Sequence, residues 1–303
     1  MVFSNNLLMG AASSTGGAAA GYVPKGAIKL SRASTQYLNR TPSSASNRKT
    51  WTYSTWCKLG DIGDTDDPCI LAADDGSGSS YTIIVTGGDP GDARTDTFFL
   101  EAQPAGATSY GEGTTAKFRD PTAWYHVVVV YDSTQTTGAN RIQIYVNGAL
   151  QPKTDTYGQP TLDLDLNVND DEPHYIGKYG NIAQYYDGYL SETILLDGYA
   201  GVPSDFGEEN SDGVWIPKDP TTIVTAQKST NGFWLDYADA SDLGNDVSYS
   251  GLSVGTDNSF TANNTPVWVY DRPADSAEDT GNYATMNPLD YTGGNYQFSD
   301  GNL

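Results

Sequence analysis

Cysteine, histidine and basic side chains are all scarce in this 303-residue chain: 2 cysteines, 2 histidines, and 16 lysines and arginines against 38 aspartates and glutamates. Each shortage argues against a class of function. His126 and His174 each lie inside a strand-like run, so they supply no spaced nitrogen ligands, and Cys57 with Cys69 would still leave zinc two ligands short. The two thiols could bridge neighbouring strands, but a pair folded in a reducing cytosol is more often left reduced. The formal charge of −22 creates a field that repels phosphate, which argues against a nucleic-acid partner. No apolar run approaches the length of a membrane-spanning helix, so membrane insertion is not expected. Long Leu- or Ala-rich amphipathic stretches are missing, and no Gly-x-Ser-x-Gly opens a helix after a strand. The glycine-rich patches lack the Gly-Lys-Ser/Thr of a phosphate loop.

What the chain has is 33 glycines and 21 tyrosines, a composition that suits many short strands joined by turns. Its organising stretch runs from Trp124 to Gln151. Two apolar runs, 127–131 and 142–146, flank a polar loop, which is the pattern of a hairpin. In the second run Ile142, Ile144 and Val146 share one phase and Gln143 and Tyr145 the other, the period of a strand with one buried face. Asn147-Gly148 tolerates the positive φ angles of a type I′ turn, so Ala149 and Leu150 are expected to start another strand. The β-branched run 127–130 suits a central strand.

Further strands are expected at 27–30, from Tyr37, and at 51–59, 69–72, 81–85, 97–102, 162–168, 174–177, 189–196, 233–235 and 267–270, with a loop at 87–94. Within 51–59, Trp51, Tyr53, Cys57 and Leu59 share a phase that Trp56 does not, so that strand should be covered on both sides. Leu162, Leu164, Leu166 and Val168 alternate with Asp163, Asp165, Asn167 and Asn169, which predicts a half-buried strand. Glu192 shares a phase with Leu190, Ile194 and Leu196; it either points inward with a partner or lies on a bulge.

Three regions follow. Residues 1–22, rich in Gly, Ala and Ser, read as a flexible arm whose apolar island, Leu7, Leu8 and Met9, could dock on a neighbouring subunit. Residues 23–200 carry the sandwich strands. Beyond Gly201 the composition shifts, and 201–303 reads as a loop-rich extension or small β subdomain, with Phe206, Val214, Trp215 and Ile216 as anchors on the sandwich.

The order Trp-Tyr-His, apolar strand ending in Asp, polar loop, apolar strand, Tyr-Val-Asn-Gly resembles the central signature of laminin G-like domains of the concanavalin A-like lectin/glucanase superfamily. More narrowly, segments 35–60, 118–132, 174–180, 187–198 and 205–219 resemble, in the same order, concanavalin A-like proteins of marine bacteriophages described as virion or tail-fibre-like. The resemblance implies an all-β, jelly-roll β-sandwich of two antiparallel sheets. It also implies a virion structural protein: a tail fibre, spike or head fibre whose partners are other virion subunits and host cell-surface glycans. Trimers are what the family comparison favours. The amino terminus has no basic start or sustained apolar core, which fits assembly in the host cytoplasm and release by lysis. The alternatives are a capsid decoration or cement protein without glycan binding, and a polysaccharide-cleaving enzyme.

Glucanases of this superfamily alternate two glutamates and an aspartate along one strand, because retaining cleavage needs an acid and a nucleophile held close together. The matching run here offers Glu192, Thr193 and Ile194, so no catalytic activity is expected. Tyr110, Tyr157, Tyr179, Tyr185 and Tyr186 fall in loop-like stretches and are the candidates for stacking on sugars, with ordinary rim packing as the alternative. No cofactor is expected apart from calcium, for which the oxygen-rich runs at Asp163 and Asp165 and at Asp236, Asp239 and Asp242 are weak candidates, since neither has EF-hand spacing.

Overall fold

The computed structural model describes residues 21–273, apart from 64–66, 88–93, 106, 181, 183, 228 and 254. The Leu7, Leu8 and Met9 island, most of the 87–94 loop and the tail beyond residue 273 lie outside the described residues. In chain order the first strands are β1 (Ala27–Leu30), β2 (Tyr37–Arg40), β3 (Thr50–Leu59), β4 (Cys69–Asp74), β5 (Tyr81–Val85), β6 (Phe99–Gln103) and β7 (Tyr110–Thr114). Next come β8 (Tyr125–Asp132), β9 (Ile142–Val146), β10 (Ala149–Leu150), β11 (Lys153–Gly158), β12 (His174–Ile176), β13 (Lys178–Tyr179), β14 (Gln184–Tyr185) and β15 (Gly188–Asp197). The last are β16 (Gly207–Glu209), β17 (Trp215–Pro217), β18 (Phe233–Leu235), β19 (Thr261–Asn263) and β20 (Val267–Val269), with the short helices α1 (Thr221–Ala226) and α2 (Val247–Ser250). No helix among the described residues is long and apolar enough to cross a membrane.

Two antiparallel sheets of eight strands form the sandwich. The first runs β10-β9-β8-β3-β15-β1-β20, with β18 also paired to β15; the second runs β11-β7-β6-β5-β4-β12-β2-β19. Trp51, Tyr53, Tyr131 and Tyr186 are among the largest side chains of the core between them. The expected hairpin is β8–β9, with Val127 opposite Val146. Its exit turn has Asn147 at φ 48° and Gly148 at φ 79°, as a type I′ turn requires. In β3, Trp51, Tyr53, Cys57 and Leu59 enter the central core while Trp56 joins a separate cluster on the outer face. Cys57 and Cys69 are free, buried thiols, and burial pushes both well above the usual thiol range.

The segment 162–168 is not a strand. Asp163 at φ 58° and Asn169 at φ 70° turn the backbone at either end. Its N–H groups find irregular partners instead of a ladder: Asp163 donates to Ser133 O, Leu166 to Arg48 O and Asn167 to Thr82 Oγ1. Leu166 and Val168 reach the core but Leu162 is exposed. Two strands carry no clear apolar alternation. In β7, Gly111 and Gly113 lie against the Phe99 ring, where a Cβ would come within 2.7 and 2.3 Å of it. In β11 the sequence is polar because the strand lies at a sheet edge.

The chain past residue 200 completes the sandwich. Strand β18 pairs with β15, β19 with β2 and β20 with β1. Of the expected anchors, Phe206 and Ile216 are buried and Trp215 is half-buried, whereas Val214 is exposed; it sits beside the tight turn between β16 and β17 that Gly213 makes at φ 74°. One polar tie fixes the carboxyl-terminal end of the described chain. Lys58 Nζ on β3 pairs with Asp271 Oδ2 at 2.7 Å, both nearly inaccessible to solvent, and Trp124 Nε1 donates to Asp271 Oδ1 at 3.2 Å.

Removing one member of a buried pair strands the other charge, so Asp271→Ala should cost about 3–5 kcal/mol, read as a lowered urea midpoint. The double variant Lys58→Met, Asp271→Leu should recover most of that loss. Equal midpoints for Asp271→Ala and the parent would show that the pair does not anchor this end of the chain.

Candidate functional site

The outer face of the first sheet carries a cleft of about 520 Å³. Trp56 on β3, Trp124 ahead of β8, and Trp215 on β17 contribute its aromatic walls, and Asn147 and Glu209 are polar groups in its lining. The β16–β17 hairpin forms one side. Trp215 fits there because two backbones give way to it: a Cβ on Gly148 or on Gly207 would stand 2.6 Å from its ring. Trp56, His126 and Trp215 form a stack, with ring centroids 4.8 Å and 6.0 Å apart and planes within 18° and 19° of parallel.

Hydrogen bonds fix His126 in the middle of the stack. Trp215 Nε1 donates to Nδ1 at 2.9 Å, so the ring proton of the neutral imidazole sits on Nε2, which meets Ser54 Oγ at 2.9 Å. Burial holds the imidazole neutral by pushing its pKa down to about 3. Ser54 and His126 therefore do not form a nucleophile and base, because the nitrogen facing the hydroxyl already carries the proton. The pair is a rigid support for Trp215.

A second feature of this face lies at the middle of β15. On one edge β15 pairs first with β1, through Gly188 to Leu190, and then with β18, through Thr193 to Leu195. On the other edge the register with β3 shifts between Ser191 and Ile194. Glu192 occupies this bulge at φ 50°. Leu190 and Leu195 therefore face the central core while Ile194 and Leu196 face outward, which breaks the phase that links Leu190 to Ile194 and Leu196 in the sequence. The Glu192 carboxyl accepts hydrogen bonds from Tyr22 Oη at 2.9 Å and Trp234 Nε1 at 2.6 Å. Burial raises its pKa from 4.5 to about 8, against the lowering effect of those two bonds. The neighbouring Asp236 is engaged by Lys25 at 3.0 Å, so the two carboxyls differ sharply in environment.

Of the five tyrosines singled out in the sequence, none lines the cleft. Tyr186 is fully buried, donating to Lys58 O at 2.9 Å. Tyr179 is 6% exposed and packs on Tyr81 at 5.2 Å. Both are corrections to the reading of these positions as exposed loops: each ring fills a hydrophobic cluster of the sandwich. Tyr110 opens β7, opposite the core residue Ala102, and is half-buried. Tyr157 is exposed, edge-on to Phe99 at 6.0 Å, and Tyr185 is half-buried.

The acidic residues are not brought together. Asp163 is exposed with Lys49 3.7 Å away, and Asp165 is exposed. Asp236 is buried against Lys25, Asp239 accepts from Ser241 N and Oγ, and Asp242 is exposed. The described residues contain no group of three or more His, Cys, Asp or Glu side chains arranged to hold a metal. The cleft's tryptophans were scattered in the sequence, although Trp56 out of phase in β3 and the anchors around Trp215 were its visible traces.

The chain belongs to the concanavalin A-like lectin/glucanases superfamily, whose family model matches residues 32–198. Comparison with curated proteins gives no match. Among solved structures, the chain is similar to a putative carbohydrate binding protein from Bacteroides ovatus, with 16% identity over 84% of this chain and 61% of that one and a TM-score of 0.47. It is also similar to a heptameric SAP-like pentraxin from Limulus polyphemus, with 14% identity, 57% and 76% coverage and a TM-score of 0.37. Domains LG4-5 of mouse laminin alpha1 match at 13% identity, 61% and 47% coverage and a TM-score of 0.41.

Glu192 gives a pH signature. The unfolded chain loses this proton near pH 4.5 and the folded chain near 8, so the stability tied to the protonated carboxyl is complete below the lower value and is lost as pH rises to the upper one. The loss amounts to roughly 3–5 kcal/mol. Glu192→Gln keeps an acceptor for Trp234 and cannot ionise, so its urea midpoint should fall less than the parent's between pH 5 and 8.5. The buried histidines are common to both proteins and cancel in the comparison. Parallel curves would mean that Glu192 is ionised in the fold throughout.

Proposed function

We propose that this chain is a glycan-binding virion protein, carried on a phage tail fibre, spike or head fibre, and that the tryptophan cleft is its sugar site. The observation that carries this reading is the cleft itself. The half-buried Trp215 indole, backed by the nearly inaccessible Trp56 and Trp124, gives an apolar surface on which a pyranose can pack, while Asn147 and Glu209 place an amide and a carboxylate among the lining groups. The volume of about 520 Å³ falls in the range of small-ligand sites and suits a short saccharide. Repetition on a particle would let weak single-site contacts add up to useful avidity. The virion setting is supported by the ordered resemblance of five sequence segments to phage proteins.

The test is binding of the purified chain to a panel of bacterial surface polysaccharides, with Trp215→Ala and Gly207→Ala beside the parent. Trp215→Ala removes a wall of the cleft, and Gly207→Ala adds a methyl group where the Trp215 ring lies. Each should weaken binding at least tenfold, about 1.4 kcal/mol, while urea midpoints show that both variants stay folded. Antibodies to the folded chain should decorate intact phage particles. Binding indifferent to both substitutions would remove the cleft as the sugar site, and undecorated particles would remove the virion role.

A further inference from the structure

The outer face of the second sheet holds a cluster of different chemistry. Tyr37 on β2, Tyr175 on β12 and Tyr185 on β14 are half-buried and gather around one ammonium. Lys178 Nζ lies 4.6, 5.3 and 5.8 Å from their ring centroids. The Tyr37 ring is 6.1 Å from that of Tyr175 and 6.2 Å from that of Tyr185, tilted by 52° and 48°. The negative ring faces hold the charge in place. Burial lowers the Lys178 pKa, and the nearby Asp74 carboxyl, 1% exposed, opposes that shift. Asp74 Oδ1 accepts from Gly76 N at 2.5 Å, while Oδ2 is buried with no hydrogen-bond partner.

Lys178 has no hydrogen bond or ion pair among the described residues, so its three donors are held in a fixed place and remain available. The register puts Asn39 opposite Tyr175, and Asn263 opposite Tyr37, on the same face. These two amides are joined by a 2.7 Å bond from Asn263 Nδ2 to Asn39 Oδ1. The surface thus offers tilted aromatic faces, one cation and side-chain amides within a single patch. It lies on the opposite sheet from the tryptophan cleft.

We propose that this cluster is a second saccharide site, selective for sugars bearing an anionic group. The sugar's carboxylate or sulfate would pair with the Lys178 ammonium that the tyrosine faces hold in place, and the sugar ring would lie beside it against the ring edges and the Asn39 and Asn263 amides. A neutral sugar would leave the cation unused, and a cationic ligand would meet Lys178 already in place over the rings. Because the net charge is −22, the overall field disfavours anions, so attraction at this patch has to come from the local lysine and should weaken as salt rises.

The experiment is calorimetric titration of the full chain at low salt with three probes: a galacturonate trimer, a sulfated trisaccharide and uncharged maltotriose. At least one acidic probe should bind and maltotriose should not bind at this patch; which acidic probe binds identifies carboxylate or sulfate as the recognised group. Lys178→Gln should weaken acidic-sugar binding at least tenfold, Lys178→Arg should keep it within a few-fold, and Tyr175→Ala should weaken it too, all with urea midpoints near the parent's. Trp215→Ala should leave it unchanged, which separates this site from the cleft. The proposal is overturned if neither acidic probe binds, if Lys178→Gln binds like the parent, or if Trp215→Ala abolishes acidic-sugar binding.

Discussion

The β3–β15 ladder is covered on both faces, and the rest of the molecule is arranged to satisfy that requirement. Nine of the ten residues of β3 and all ten of β15 are buried. A strand in a two-layer sandwich is ordinarily covered once, by the facing sheet, and wetted on its other side. Here the inner face is covered by the second sheet, while the outer face is covered by Phe206, Val224 and Trp234, all from beyond residue 200. The family match ends at residue 198, but the sandwich continues beyond it through β18, β19 and β20. The cleft lies where this second covering is incomplete, between the β16–β17 hairpin and the Trp124 loop.

The bulge at Glu192 follows from the same geometry. One edge of β15 pairs with β1 near its start and with β18 further on, and on the other edge β15 carries one extra residue against β3 between Ser191 and Ile194. The extra residue absorbs the change of phase, and its side chain is left on the covered outer face. A buried carboxylate would be costly there; a protonated one, held by Tyr22 and Trp234, is tolerated. The strain of a positive φ at a non-glycine residue, on the order of 1–3 kcal/mol, is offset by the burial on either side of it.

Legibility in the sequence tracked how local the determining interaction was. The β8–β9 hairpin and its Asn-Gly turn were readable because period, turn chemistry and pairing all lie within thirty residues, as was the two-sided burial of β3 from the phase of Trp56. The alternation at 162–168 misled, since period two reports which side chains are apolar and not whether a strand edge is available to pair with. β7 failed to register because its pairing depends on Phe99 occupying the space above two glycines, a contact invisible in β7 itself. The cleft was the least legible part: Trp56 and Trp124 are brought together by the β3–β8 pairing, and Trp215 joins them from the distant β16–β17 hairpin. Gly148 was visible as a turn residue, but its second role, as the floor beneath the Trp215 ring, required the structure.

His126 and Glu192 show how one buried face can hold two titratable groups with opposite consequences. His126 accepts from Trp215 Nε1, so its neutral form is the one the cleft requires, and desolvation stabilises that form down to about pH 3. The aromatic stack therefore keeps one hydrogen-bonding pattern across the pH range in which a surface histidine would switch. Glu192 also prefers its neutral form, but for a carboxyl that means keeping a proton, and its pKa of about 8 places the change in slightly alkaline water. Ionisation there would act first on the two donors that hold the carboxyl, Tyr22 and Trp234. Tyr22 leads into β1 and Trp234 belongs to β18, the two strands that share one edge of β15. A charge at the bulge would thus bear on how the amino-terminal end of the described chain and the extension grip the sandwich, while the His126 stack and the wall it supports would keep their shape.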